Sequence, residues 1–289
     1  MDKINSKISA PKHGGFAKIF GEKTQNSKLK RLKEILKRMK SVVVAFSGGV
    51  DSTFLLKVAR DTLDGKVIAV TARSATYPES EFKEAKTLAK SMGVWHIIID
   101  TKELDKKDFS DNPPDRCYWC KSELFKEMET IQRRFGFNYV VDGTNYSDRN
   151  DFRPGRKAEE KFGIRRPLFE AGLTKKDIRR FSKNLNLPTF SKPAMACLAS
   201  RFPYHSKITE RKLKVVEEAE EYLKRLGFCW MRVRHHGDIA RIETQKSEIK
   251  KFLREETRQK IIGRFKRLGF KYITVDIEGY RTGSMNEVL

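Results

Sequence analysis

Three observations predict an α/β chain, with a parallel sheet covered on both faces and a smaller α+β domain after it. Short continuous apolar runs, VVVAF, VIAV and HIII, alternate with segments of helical period. The first run passes straight into Ser47-Gly48-Gly49-Val50-Asp51-Ser52-Thr53 and then into a helix. Beyond a Pro-, Gly-, Arg- and Asn-rich stretch, 143–208, the order of elements changes to α-β-β-α-β.

Each element has its own signal. Residues 1–26 are polar and without sustained period, and read as a flexible arm. Leu29, Leu32, Leu36 and Met39 form one stripe of a basic helix over 27–40. That stripe is expected to pack on the domain, although such a helix could also touch RNA or a membrane. Strands are predicted at Val42–Phe46, Lys66–Val70, Trp95–Asp100 and Tyr139–Asp142, with helices at Thr53–Leu63, Glu79–Met92 and Ser122–Phe135. Thr174-x-x-Asp177 opens a helix to Leu185. The second unit reads as a helix at Glu210–Leu226, strands at Trp230–Arg234 and Ala240–Glu243, a helix at Lys246–Leu268 and a strand at Tyr272–Ile277, forming a small antiparallel sheet. The expected divisions are 1–26, 27–195 and 196–289.

The bulk composition restricts the function classes. No apolar run is long enough to span a bilayer, and the first residues lack the apolar core of a signal peptide. A cytoplasmic location is therefore expected, with no membrane partner. Lys and Arg total 61 against 38 acidic residues, a net charge of +23. This favours anionic partners, but a solubilising surface would look the same.

The glycine loop is built to hold an anion. A strand ending in Ser-Gly-Gly and turning into a helix presents backbone N–H groups with the helix dipole behind them. Ser47, Ser52 and Thr53 add hydroxyls, and Gly48 and Gly49 allow close approach. It lacks the Lys of a Walker A loop and has Asp51 inside, which suits a Mg²⁺ bridging phosphates. A turn that merely tightens strand-to-helix packing is the bland alternative.

SGGVDS resembles the PP-loop of the ATP pyrophosphatases, which implies a Rossmann-like sheet, ATP as substrate and cleavage between the α- and β-phosphates. Further stretches narrow the resemblance. NPPDRCYWCKSELF, DGTNYSDRNDFRPGRKA, KPAMACLASRFPY and GYRTGSMNE are similar to the LarE family of ATP-dependent sulfur transferases, from about residue 25 to the end. The family resemblance implies adenylation of pyridinium-3,5-biscarboxylic acid mononucleotide and replacement of AMP by sulfur, on the way to the nickel-pincer cofactor of lactate racemase. AMP is a competent leaving group where oxide is not, and thiolate is the strong nucleophile at neutral pH.

The resemblance also implies roles for particular residues. Cys197 matches the sulfur-bearing position. Cys117 and Cys120 add the pair of the three-cysteine branch, which implies a [4Fe-4S] cluster and an external sulfide donor. A Zn²⁺ site completed by Cys197 and either Cys229 or His205 is the alternative. Arg116 and Lys121 flank the pair and would favour thiolates. Cys229 reads as a buried inert thiol, and His235 and His236 as surface residues.

The family's active-site segment supplies Ser200 and Arg201. Gly143 and Asn145 are implied nucleotide or substrate contacts, and the Thr71 neighbourhood is where adenine would sit. Arg232 and Arg234 alternate along a strand, so both face one side and could grip a phosphate. Glu220 and Glu243 match carboxylates with metal-binding or oligomer-stabilising roles, and a homo-oligomer is expected. The competing readings are a PP-loop tRNA thiolation enzyme and a non-catalytic nucleotide- or RNA-binding protein. The first would bind tRNA tightly, although no RNA-binding module is legible.

Overall fold

The computed structural model describes residues 15–150, 154–193, 196–281 and 283–288, with the side chains of 15–25 and of 150 excepted. The first unit runs α1 (Gly15–Met39), β1 (Val42–Ala45), α2 (Val50–Leu63), β2 (Val67–Arg73), α3 (Glu79–Ser91) and β3 (Trp95–Asp100). It continues through α4 (Lys107–Ser110), α5 (Arg116–Phe135), β4 (Tyr139–Val141), α6 (Gly155–Lys161), α7 (Pro167–Glu170) and α8 (Lys175–Asn184). The strands pair in the order β3-β2-β1-β4, all parallel.

Strand alternation splits the core into two layers. Val42 and Val44 face α1, α2, α3 and α8 through Leu32, Leu36, Phe54, Leu55, Leu88 and Phe181. Val43 faces the other way, onto Phe125, Met128 and Ile131 of α5. Burial on both faces is why these strands read as unbroken apolar runs.

The second unit holds α9 (Glu210–Arg225), β5 (Met231–His236), β6 (Ile239–Thr244), α10 (Glu255–Arg267) and β7 (Tyr272–Val275). Its sheet order is β5-β6-β7. Leu223, Phe228, Val233, Ile242, Phe252 and Phe265 fill its core. Phe109, Leu198, Ala199, Phe202 and Leu213 form a further apolar cluster with Cys120 packed against it, and this cluster joins the two units.

Several expectations are corrected. Residues 15–26 of the predicted arm belong to α1, while residues 1–14 lie outside the described residues. The second sheet is mixed: β5 and β6 are antiparallel, but β6 and β7 are parallel. The crossover through 246–268 returns the chain to the starting end of β6, so β7 runs alongside it. That crossover is also not one helix. It is a 3₁₀ segment, Lys246–Leu253, and then α10, with Arg254 extended between them. Buried Glu248 accepts from Thr244 Oγ1 and Lys251 Nζ, which pins the first segment to the end of β6. Cys229 is exposed, whereas His235 is buried between the rings of Phe202 and Phe270.

Candidate active site at the carboxyl edge of the sheet

All four parallel strands deliver their carboxyl ends to one edge, and that edge carries the glycine loop. Gly48 has φ +63°, and a Cβ on it would lie 3.1 Å from Ala85 Cβ. The first requires glycine for conformation and the second for room. Gly49 caps α2 in extended conformation, so the helix begins with its free N–H groups at the loop. Ser47 and Ser52 hydroxyls lie 3.1 Å apart, and Tyr77 donates its hydroxyl to Ser47 O at 2.6 Å. Gly143 follows β4 where a Cβ would stand 3.1 Å from Ser52 N, so this turn presses directly on the first turn of α2.

Two lysines converge on the loop that sequence reasoning did not single out. Lys175 Nζ lies 2.5 Å from Asp51 Oδ2. Lys192 Nζ lies 3.4 Å from Gly48 O and is held by Glu81 and Glu84 at 2.5 and 2.7 Å. The Thr174 capping box fixes Lys175 as the first residue of α8, but the partner across 124 residues has no local signature.

Thr71 is 2 % exposed and donates to Phe46 O at 2.6 Å. Its one proton is thereby committed, so at 2.8 Å it accepts from His96 Nε2–H. Burial and then Lys86 push the His96 pKa down, which suits this neutral ring. Asn145 is buried, and its side-chain oxygen accepts from Ser147 N at 2.9 Å, shaping the turn after β4. Asp142 accepts from Thr144 N and from Lys121 Nζ. Burial works against its charge, but Lys121 and the Thr144 bonds outweigh burial and hold its carboxyl below the usual range.

The cysteine segments meet beside this edge. Cys117 and Cys120 lie on the first turn of α5 at i, i+3, on one helix face. Leu198 N donates to Thr76 O at 2.9 Å, which anchors the Cys197 segment to the loop after β2. Burial first, then Glu103 and the thiols of Cys197 and Cys117, push the Cys120 pKa well up. At Cys197 burial also raises the pKa, opposed by the neighbouring Thr76 hydroxyl and Ala199 N, with Cys117 and Arg116 acting in opposite senses. Cys197 and Cys117 are nevertheless exposed. Each of the three thiols is thus felt by another. Among the described residues no group of three or more His, Cys, Asp and Glu side chains is arranged to hold a metal ion.

Of the flanking cations, Arg116 is 8 % exposed and stacks over Tyr204, with its charge felt at Cys197. Lys121 turns away from the cysteines: Glu159 holds it at 2.5 Å and Asp142 at 3.4 Å. Beneath the thiols, Thr76 Oγ1 donates to Glu103 Oε1 at 2.8 Å, and both residues are buried. Neither residue has a sequence signal beyond its polar type.

The arginines and glutamates of the second unit pair with each other. Arg201 grips Glu220 with Nε and Nη2, both at 2.9 Å, and Nη1 donates to Ala196 O, Cys197 O and Ser200 Oγ. Arg234 reaches Glu243 at 2.6 Å, Ser284 Oγ at 3.1 Å and Ser200 O at 3.0 Å. Glu243, fully buried, also receives Arg241 at 3.1 Å. Arg232 lies over the Tyr280 ring, its pKa lowered by burial and then by Arg201. Arg234 and the two glutamates therefore brace the Ser200-Arg201 segment, while Arg232 lies in a strongly cationic field beside it.

Comparison with known proteins agrees with this architecture. The NAD synthase family profile matches residues 25–134. Pyridinium-3,5-bisthiocarboxylic acid mononucleotide synthase of Lactiplantibacillus plantarum is 39 % identical over 88 % of this chain and 92 % of its own. An uncharacterized protein of Synechocystis sp. is 40 % identical over 91 % and 98 %. One subunit of the glutamine-hydrolyzing GMP synthase of Archaeoglobus fulgidus is 27 % identical over 65 % and 68 %. Identity near two-fifths across nearly the whole length, with the glycine loop at the carboxyl edge of a parallel sheet, places the chain in the LarE family of PP-loop ATP-using enzymes.

Proposed function

We propose that this enzyme uses ATP to activate the carboxylates of pyridinium-3,5-biscarboxylic acid mononucleotide and replaces the activating group with sulfur. A carboxylate oxygen attacks the α-phosphorus, the Pα–O–Pβ bond breaks and pyrophosphate leaves. Sulfur then attacks the acyl carbon and AMP leaves, and repetition on the second carboxylate gives the bisthiocarboxylate. The observation that carries the reading is the tie between Leu198 N and Thr76 O, which keeps the Cys197 segment at the edge that holds the glycine loop.

The chain's own groups have definite tasks in this scheme. The N–H groups at the start of α2 and the Ser47 and Ser52 hydroxyls bind phosphate oxygens. Asp51 would hold a Mg²⁺, which would supply positive charge against the pyrophosphate. Lys175 and Lys192 bring two further positive charges to the same oxygens. Arg201, locked by Glu220, holds the carbonyls of Ala196 and Cys197 and so fixes where the Cys197 thiol sits.

Cys117, Cys120 and Cys197 are the residues that would hold a [4Fe-4S] cluster: the first two share one face of α5, and both Cys197 and Cys117 raise the pKa of Cys120. Such a cluster would supply an exchangeable iron position for sulfide from an external donor. The test is anaerobic purification with iron, sulfide and zinc analysis, then incubation with ATP and the biscarboxylate mononucleotide. Mass spectrometry should show the substrate gaining sulfur while the protein mass stays constant. Cys117→Ala should lose iron and keep pyrophosphate release. Conversion of Cys197 to dehydroalanine without iron would replace the cluster by a sacrificial route, and absence of substrate-dependent pyrophosphate release would overturn the reading.

A further inference from the structure

Away from the glycine loop, a recess of about 780 Å³ opens between α1 and the chain from Ile164 to Thr174. A second hollow of about 520 Å³ continues it toward Tyr139, sharing Arg31, Arg165 and Glu170. The two together are lined by five cations, Lys28, Arg31, Arg38, Arg165 and Arg166, against the single carboxylate of Glu170. Glu170 is consumed by Arg165, which it binds through two contacts at 2.9 and 2.6 Å. Lys28 is paired with Asp177 at 2.9 Å, and Arg166 lies 3.7 Å from Glu159. Arg31 and Arg38 have no ion-pair partner among the described residues. Seven residues apart on α1, they sit on one face about 10 Å from each other along the axis.

The cations are interleaved with rings. Arg165 stacks over Tyr139 at 5.4 Å and Arg166 over Phe169 at 5.1 Å. Tyr146 lines the far end, with Arg149 over its ring. Glu170 takes the edge of Arg165, so the stacked arginines offer their planes, while the exposed Arg31 and Arg38 can meet phosphate oxygens in bidentate fashion. The outer faces of such planes and of the rings accept a base. The volume suits a small ligand or one segment of a strand. We propose that this recess is a second binding site, for a nucleoside phosphate, with phosphates on Arg31 and Arg38 and the base against the Arg165–Tyr139 or Arg166–Phe169 stack. Among the described residues it meets the glycine loop's surroundings at the turn before α8, where Thr174 lines the recess and Lys175 contacts Asp51.

The same chemistry comes from a free nucleotide or from single-stranded RNA, so the experiment carries both arms. Binding of a fluorescein-labelled oligouridylate of about ten nucleotides is measured by anisotropy against salt, and unlabelled UMP is tested as competitor. The full-length protein is compared with Arg31→Glu/Arg38→Glu and with a control of equal charge change, Lys126→Glu/Lys250→Glu, at exposed sites elsewhere. The Arg31/Arg38 variant should weaken binding at least tenfold and lower the salt slope by about 2, one for each lost phosphate contact. The control should stay within about twofold, and pyrophosphate release should be unaltered in both. Displacement by UMP assigns the site to free nucleotides, and its failure to compete assigns it to a strand; either supports the site. Unchanged binding in the Arg31/Arg38 variant, or an equal loss in the control, overturns it, since +23 of net charge alone would then account for the affinity.

Discussion

Lys175 Nζ stands 2.5 Å from Asp51 Oδ2, joining the first turn of α8 to the first turn of α2 across the mouth of the glycine loop. Both side chains are partly exposed, at 33 % and 23 %, so the pair contributes little to stability, about 0–1 kcal/mol. On the proposed function, its worth lies in placing one cation and one carboxylate suited to Mg²⁺ where pyrophosphate would depart. Lys175→Met should leave the melting temperature within a few degrees and slow substrate-dependent pyrophosphate release by about 10²-fold or more. Asp51→Asn should cost at least as much. Wild-type release by Lys175→Met would remove Lys175 from the chemistry.

Gly48 tests the loop's backbone. An Ala there meets a left-handed φ, which costs roughly 1–2 kcal/mol, and a Cβ 3.1 Å from Ala85 Cβ. Gly48→Ala should therefore lower stability by at least that amount and weaken ATP binding measured by calorimetry. Pairing it with Ala85→Gly should recover the steric part only, because the backbone strain remains. Full recovery in the double variant would mean that φ at Gly48 is unimportant.

Legibility in the sequence followed how local each signal was. The parallel strands showed because they are buried on both faces, and α8 because Thr174 and Asp177 close a capping box four residues long. The start of α5 did not show. Arg116–Lys121 lacks an apolar period, and its first turn is held by non-local contacts, Arg116 on Tyr204 and Cys120 on the Leu198–Phe202 cluster. The same holds for the pairs that shape the site. Lys175–Asp51, Arg201–Glu220, Arg234–Glu243 and Thr76–Glu103 join different elements, so residue type announced a charge but never its partner. Arg232 and Arg234 do alternate on one strand, yet burial of Arg234 against Glu243 makes it a brace.

Glu220 should give the enzyme part of its acid sensitivity. Burial pushes its carboxyl up, but the Arg201 charge and bonds, then Arg232 and Val233 N, outweigh burial and hold it below its ordinary value. A carboxyl with a lower pKa in the folded state binds its proton more tightly when unfolded. Its stabilisation is therefore complete above the unfolded value, about 4.3, and is lost as pH falls below that toward the folded value. Asp142, Asp177 and Glu170 are depressed in the same direction, so acid unfolding sums several such groups. Glu220→Gln should be less stable than wild type at neutral pH, and the gap should narrow below about pH 4.3. Denaturant melts at stepped pH would show this; a gap independent of pH would mean that the Arg201–Glu220 charge pair contributes nothing beyond its hydrogen-bond geometry.

Thr76 and Glu103 offer a separate test of how the Cys197 segment is held. Glu103 is 2 % exposed; its Oε1 takes the Thr76 hydroxyl at 2.8 Å, and its Oε2 has no hydrogen-bond partner among the described residues. Thr76→Val removes the hydroxyl at nearly constant volume and leaves a buried carboxyl with neither oxygen bonded. That should cost about 1–3 kcal/mol or more, seen as a melting temperature lower by several degrees. Thr76→Val/Glu103→Leu removes both polar partners and should return much of the loss, because no buried group is then left unpaired. The Thr76 carbonyl still receives Leu198 N in both variants, so the Cys197 segment keeps its anchor while its thiol loses the Thr76 hydroxyl. Maleimide labelling of Cys197 in a background lacking Cys117, Cys120 and Cys229 should then change in rate by the same factor in single and double variants, whatever their stabilities. A double variant no more stable than Thr76→Val would show that Glu103 does not depend on that hydroxyl.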